Sequence, residues 1–295
     1  MTHPLVSVLF TTYNHAPWVE QALASVLAQS IADKIQIVWQ DDASTDDTAN
    51  RVEALLQSSR ISIKRLLRQN NRMGRGVPCH MDLIEACDGE FVAVLEGDDY
   101  WTHADKLRVQ VHALQQQAGI DLCFARARVV VDGVPAPATD QFLSDLGDSP
   151  GVAPLSAVIR GDGGYMHTSS LLVRRAALAA APSWFFEFQP IGDYMIQVLG
   201  STRGGALYLP QVLSAYRTQV EGSWSQRVTR SPDARANFEV GFIRLLRRMQ
   251  QHYGAAHKDD FDAILFNHLA MLARISVFQD RPLHLVQAAT ALLAT

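Results

Sequence analysis

Four apolar-rich runs, at residues 6–10, 35–39, 61–67 and 91–95, alternate with segments of helical period at 17–29, 46–58 and 78–87. Parallel strands need a crossover, and an amphipathic helix supplies one, so this alternation reads as successive βαβ units and a mostly parallel sheet. Val19, Leu23, Val26 and Leu27 make one apolar stripe in the first spacer. Leu107, Val111, Leu114 and Ala118 repeat the pattern after the fourth run. The expected class is α/β, with a Rossmann-like central sheet flanked by helices.

The middle of the chain is less regular. Strand-like stretches at 122–125, 129–131, 171–173 and 206–209 surround a Pro, Gly, Asp and Ser-rich loop at 132–151. Beyond Pro232 the pattern is helical only. Phe238, Phe242, Leu245, Leu246 and Met249 mark one helix; Phe261, Leu265, Leu269 and Leu272 mark a second; residues 283–293 mark a third. Two parts are therefore expected, 1–225 and a C-terminal helical extension at 226–295.

At 295 residues and 48% hydrophobic, the chain can bury a sizeable core. Its formal net charge of −4 argues against a nucleic-acid binder, which needs an excess of Lys and Arg to neutralise phosphates. Cys79, Cys87 and Cys123 are odd in number and lack CxxC spacing, which suggests neither a zinc knuckle nor a disulfide framework. The start, Met1-Thr2-His3-Pro4, lacks the basic region and cleavage site of a signal peptide, and no apolar run is long enough to span a bilayer. A cytoplasmic location is expected, with peripheral contact at the inner membrane face left open.

Ligands of open parallel sheets collect beyond the carboxyl ends of the strands, so polar residues directly after the apolar runs carry the chemistry. Thr11-Thr12-Tyr13-Asn14 follows the first run; these groups could face a planar base, but taken alone the segment reads as an ordinary strand-to-helix turn capped by Asn14. Asp41 and Asp42 follow the second, upstream of a turn whose Ser44, Thr45, Asp46 and Asp47 suit the start of a helix. A carboxylate at 41 or 42 could accept the imide N–H of uracil. Glu96-Gly97-Asp98-Asp99-Tyr100-Trp101 follows the fourth run. Three carboxylates in four residues repel one another unless a positive group sits among them, and a hard divalent cation, Mn²⁺ or Mg²⁺, combines such oxygens with ligand phosphates.

Together with Asn70-Asn71-Arg72-Met73-Gly74, Lys106-Leu107, His167-Thr168-Ser169-Ser170, Gly192-Asp193-Tyr194 and Tyr216-Arg217, these segments resemble glycosyltransferase family 2, over about 1–225. The resemblance implies a GT-A fold and a metal-dependent, inverting transfer of sugar from a nucleoside diphosphate, UDP first, to a hydroxyl of a glycan or lipid-linked acceptor, as in bacterial surface polysaccharide synthesis. Glu96-Gly97-Asp98 matches the DxD motif, with Asp98 and then Asp99 as metal ligands. Thr11, Thr12, Tyr13, Asn14, Asp41, Asp42, Asn71, Gly74, Glu96 and Arg217 fall on the donor side. Asp193 matches the catalytic base, and Gly164, His167, Thr168 and Trp224 lie toward the acceptor. Gln219 stands where related sequences often have His.

The late arginines Arg227, Arg230, Arg235, Arg244, Arg247 and Arg248 suit a solvated face or an anionic lipid surface, and the same helices could pair two copies. A nucleotidyltransferase would usually carry a Gly-rich, Lys- or Arg-bearing loop near the first strand, absent from 11–17. A non-catalytic nucleotide-sugar binder would have no need of Asp193.

Overall fold

The structure is a computed structural model that describes residues 3–72, 80–131, 134–135, 142–186, 192–218, 220, 223 and 230–278. The apolar runs form strands β1 (Val6–Thr12), β2 (Ile35–Asp41), β3 (Ser62–Leu67) and β4 (Phe91–Glu96). They lie side by side in the order β3-β2-β1-β4, all parallel. Val6, Val8, Phe10, Ile37, Trp39, Phe91 and Leu95 are buried, whereas β3 alternates toward solvent as an edge strand does. The crossover helices α1 (Val19–Leu27) and α2 (Thr48–Gln57) bury Val19, Leu23, Val26, Val52 and Leu56 against this sheet, and α3 is His80–Glu85.

The register fixes the rim. Thr11 pairs with Gln40 on one side and Glu96 on the other, so β1, β2 and β4 end together. After β4 come β5 (Tyr100–Trp101) and α4 (Lys106–Gln116), whose buried Leu107, Val111 and Leu114 are the predicted stripe; Ala118 lies past its end.

The second half of the sheet is mixed, a departure from the mostly parallel expectation. The stretches at 122–125 and 129–131 are one strand, β6 (Leu122–Val131). The expected loop at 132–151 contributes short strands β7 (Val134–Pro135) and β8 (Phe142–Leu143), with β9 (Gly151–Ala153) at its end. After α5 (Leu155–Arg160), β10 (Leu172–Arg174) runs antiparallel between β4 and β6. Because Leu172 pairs with Ala93 and Arg174 with Phe91, β10 descends from the side where β4 ends. The residues just before it, 167–170, are thereby delivered to the rim.

Helices α6 (Arg175–Ala179) and α7 (Gly192–Ser201) lead to β11 (Ala206–Thr218), parallel to β6. The expected strand at 206–209 thus continues through Pro210, with register shifts between Leu209 and Val212 and between Val212 and Ser214. Proline has no N–H for the ladder, and bulged pairing carries the strand past it. Beyond the shifts, Ser214 and Ala215 pair with Trp101 and Tyr100, which sets Arg217 beside the acidic segment.

The chain divides into two compact units, Met1–Val158 with Gly163–Thr218, and Ile159–Asp162 with Gln219–Thr295. A boundary at 225 did not anticipate the short piece at 159–162. In the second unit a helix at Pro232–Tyr253 starts on Ser231, whose hydroxyl accepts the Ala234 N–H, and stops at Gly254, φ +69°. The other described helix, Lys258–Phe278, buries Phe261, Ile264, Leu265 and Leu272. The expected helix at 283–293 lies outside the described residues. Among those described, no helix is long and apolar enough to cross a membrane.

Within this unit His268 is buried between two carboxylates. Its Nδ1 lies 2.5 Å from Glu239 and its Nε2 2.9 Å from Asp162, while Arg235 bonds Glu239 from the neighbouring turn. Burial alone would lower the imidazole, but Asp162 and Glu239 outweigh it and lift His268 to about 9. A raised His contributes stability that is complete below its unfolded value, near 6.5, and is lost as pH rises through the folded value. Unfolding by urea is expected to show a stability loss on the order of 3 kcal/mol between pH 6 and pH 10, and His268→Asn to remove most of that slope.

Candidate active site

The loops after β1 and β2 are joined mainly by side chains. Asp41 accepts the Ser44 N–H at 2.8 Å, the Ser44 hydroxyl at 2.6 Å and the Thr12 hydroxyl at 2.8 Å, and Thr12 accepts Trp39 Nε1–H at 3.0 Å. Asn14 donates its N–H to Ser44 Oγ at 2.9 Å and accepts the Thr45 N–H at 2.8 Å. Asn14 and Ala43 sit at φ 55° and 65°, the left-handed region that Asn tolerates and that costs Ala on the order of 1–2 kcal/mol.

Both oxygens of Asp41 and the hydroxyl of Thr12 thus take part in holding the two loops together. Asp42 differs: its Oδ1 accepts the Arg72 N–H at 2.8 Å, which brings the segment around Asn71 to the end of β2. Thr11 and Tyr13, on the other side of the pleat from Thr12, are partly exposed.

At the end of β4 the three acids diverge. Glu96 is half-buried, and removal from water, together with the charges of Asp98 and Asp193, pushes it up to about 8. Asp98 keeps 16% side-chain exposure, with His15 Nε2 3.8 Å from its Oδ2. Asp99 is 1% exposed; its Oδ1 accepts the Arg217 N–H at 2.9 Å, and its buried Oδ2 has no hydrogen bond, with His167 Nε2 at 3.6 Å. Burial, then Asp98 and Glu96, raise Asp99 well above the ordinary carboxylate range. Gly97 between them is a packing requirement: a Cβ there would lie 2.8 Å from both Thr12 Cγ2 and His15 Nδ1.

Arg217 is likewise committed. Its guanidinium donates to the Asp98 carbonyl and to Gln21 Oε1, and lies 4.9 Å from the centre of the Tyr100 ring. It ties the acidic loop to α1 and β11.

On the opposite side, Asp193 stands in the first turn of α7, half-buried, with the Thr168 hydroxyl donating to its Oδ2 at 3.2 Å. Removal from water raises it, against the lowering effects of the Tyr194 N–H, the Thr168 hydroxyl and its own N–H. His167 is buried and lowered to about 3, hence neutral; its Nδ1 accepts the Ser169 N–H, which leaves the proton on Nε2 facing Asp99. Its ring packs 4.4 Å from Tyr216, and Trp101 Nε1–H donates to the Ser169 carbonyl at 2.9 Å.

Glu96, Asp98 and Asp193 thus share one electrostatic neighbourhood although 97 residues separate the first from the last. Gly164 is exposed and has no polar tie to this group. Gly74, Gln219 and Trp224 lie outside the described residues. His15 and Gln21 had escaped the sequence reading. His15 directly follows the 11–14 segment and could have been flagged from that position; Gln21 carries no such signal, because its partner is 196 positions away.

The donor set suits a divalent cation at Asp98. Three carboxylates lie close, Asp98 reaches solvent, and the nearest described guanidinium is turned to the backbone of the loop. Among the described residues no three His, Cys, Asp or Glu side chains converge on one metal position, so protein groups alone would leave the coordination incomplete and phosphate oxygens would finish it.

Comparison with known proteins identifies the family and the fold. A model of the glycosyl transferase family 2 matches residues 7–177. An uncharacterized protein of Mycobacterium tuberculosis is 28% identical over 229 residues, covering 76% of this chain and 62% of its own length, so the chain spans less than two thirds of that relative. Residues 1–349 of Staphylococcus aureus TarS, solved with UDP-GlcNAc, superpose with a TM-score of 0.61 at 16% identity over 97% of this chain and 88% of that one. The Pyrobaculum calidifontis mannosyltransferase PcManGT, solved with GDP-Man and Mn²⁺, gives a TM-score of 0.59 at 18% identity over 100% and 75%. The fold is of the GT-A type, and the chain belongs to glycosyltransferase family 2.

Proposed function

We propose that the chain transfers a sugar from a nucleoside diphosphate donor, UDP-linked first, to a hydroxyl of a glycan or lipid-linked acceptor, with inversion at the anomeric carbon. The observation that carries this reading is that Asp98, which reaches solvent at the carboxyl rim, and Asp193 both lie within electrostatic reach of Glu96. Asp98 would hold a divalent cation, Mn²⁺ or Mg²⁺. When bound, that cation supplies Lewis-acid neutralisation of the charge developing on the leaving diphosphate.

The remaining chemistry belongs to the chain. Thr11, Tyr13 and Asp42 form the nucleoside side, with Asp42 steadied by the Arg72 N–H. Arg217, through the Asp98 carbonyl and the Asp99 carboxylate, keeps the acidic loop in register with β11. Asp193 accepts the proton of the attacking hydroxyl; its raised pKa makes it a stronger base than a solvated Asp, and Thr168 fixes one of its oxygens. UDP is put first on the family resemblance; of the solved neighbours TarS binds UDP-GlcNAc and PcManGT binds GDP-Man, so both nucleotides enter the test. A thermal-shift screen of UDP- and GDP-sugars with and without Mn²⁺ tests the assignment: a donor that raises the melting temperature only with the metal supports it, and no shift with any donor overturns it.

Contact with a membrane surface belongs to the same proposal. The helix Lys258–Phe278 exposes Phe266 at 71% and Val277 at 74%, with Ala263, Ala270 and Arg274 also exposed and no acidic residue after Asp262. Arg244 and Arg248 are exposed on the Pro232–Tyr253 helix. An apolar face with basic neighbours suits anionic lipid. Sedimentation with phosphatidylglycerol vesicles is expected to fall at least about tenfold in affinity when Arg244, Arg248 and Phe266 are together replaced by Glu. Unchanged binding would remove the membrane role and leave the catalytic reading intact.

A further inference from the structure

His15 is a polar group at the rim with no part in the reaction described above. Its Nδ1 is buried and without a hydrogen-bond partner among the described residues, while its Nε2 lies 3.8 Å from Oδ2 of Asp98. The residue is held in place. The His15 N–H donates to Thr48 Oγ1 at 2.8 Å, Trp18 packs edge-on with ring centres 6.4 Å apart, and the ring lies so close to Gly97 that a Cβ there would meet Nδ1 at 2.8 Å.

A neutral imidazole carries one proton and one lone pair. A buried N–H without an acceptor is rarer and costlier than an unused lone pair. The unpartnered Nδ1 therefore carries the lone pair, and Nε2 carries the proton, facing Asp98. The same reasoning argues against His15 as a ligand in its own right: an imidazole bound to metal through Nε2 would hold its proton on Nδ1, and such rings ordinarily donate it to a carboxylate, carbonyl or water.

We propose that His15 is a positioning residue for Asp98. Nε2–H, 3.8 Å from Oδ2 and so outside direct hydrogen-bond distance, orients that oxygen electrostatically or through one bridging water, which would leave the other carboxylate oxygen for the cation, and Gly97 is the residue that admits the ring. Carboxylates that bind metals are themselves hydrogen-bonded, and loss of such a partner typically weakens metal binding by about 10- to 100-fold.

This inference rests on the reading of Asp98 as the cation-binding carboxylate, and the test separates the two. Mn²⁺ is titrated into the whole chain with saturating UDP, with free Mn²⁺ followed by electron paramagnetic resonance and melting temperature by thermal shift. His15→Phe is expected to raise the Mn²⁺ dissociation constant at least about tenfold, with His15→Gln, whose amide retains a donor, recovering most of it. The metal-free melting temperatures of the wild type and His15→Gln should agree, so that a folding defect in His15→Phe does not decide the matter. Wild-type affinity in His15→Phe overturns the proposal, as does a directly bonded ¹⁴N coupling on the manganese that disappears in both variants. If wild-type protein takes up no Mn²⁺ with UDP, the reading of Asp98 falls first and this one with it.

Discussion

Asp98→Asn is expected to abolish Mn²⁺-dependent UDP binding and to lower kcat/KM by on the order of 10³-fold. The replacement keeps the size of the side chain and removes only its charge. The fold should survive it, because the carboxylate is partly in solvent and the loop is anchored through the Asp98 carbonyl and the Asp99 carboxylate, both held by Arg217. What disappears is a partly exposed carboxylate that accepts none of the bonds anchoring the loop. Glu96 and Asp99 are poor substitutes: both are raised by burial and by their acidic neighbours, and Asp99 already accepts a backbone N–H. Isothermal calorimetry of UDP with and without Mn²⁺, paired with steady-state rates, reads the two effects separately. An Asp98→Asn variant that binds UDP as tightly with metal as the wild type would remove the cation from this position.

What the sequence makes legible at the rim, and what it leaves hidden, have one physical origin. Period and burial are local properties, so β1, β2, β4 and the stripe of α1 could be read from runs of apolar residues, and the ends of those strands marked the rim. An acid at a strand end is legible as a candidate; its partners are not. The partners of Asp41 are hidden because Thr12, which takes part of its hydrogen bonding, belongs to a different strand. Those of Arg217 are hidden because Gln21, which it binds, is distant in the chain. The stretches at 171–173 and 206–209 read as strands, but the direction of the first and the extent of the second do not: β10 is set antiparallel by distant partners in β4 and β6, and β11 passes through Pro210 on bulged pairing. Asp162 joins the second unit through His268, a long-range pairing that no pattern at 159–162 announces.

Asp193→Asn is expected to lower the transfer rate by on the order of 10³-fold while leaving metal-dependent donor binding within about twofold of the wild type. Asn is itself a good residue for the start of a helix and can still accept the Thr168 hydroxyl and the Tyr194 N–H, so α7 should keep its place. The loss is confined to the ability to take a proton. The pH dependence gives the sharper test. A base acts in its ionised form, and Asp193 is raised above its ordinary value chiefly by removal from water, so kcat should rise with pH and level off above a pKa higher than that of a solvated Asp. The Asp193→Asn variant should lack this acidic limb across the range where the fold is intact. A metal-bound donor would draw Glu96 toward its ionised form, and the limb that remains in the ternary complex then belongs to the carboxylate on the acceptor side. If the Asp193→Asn variant kept both the rate and the limb, proton transfer would have to be assigned to another group or to solvent, and Asp193 would be reduced to the helix-starting residue that its place in α7 also makes it.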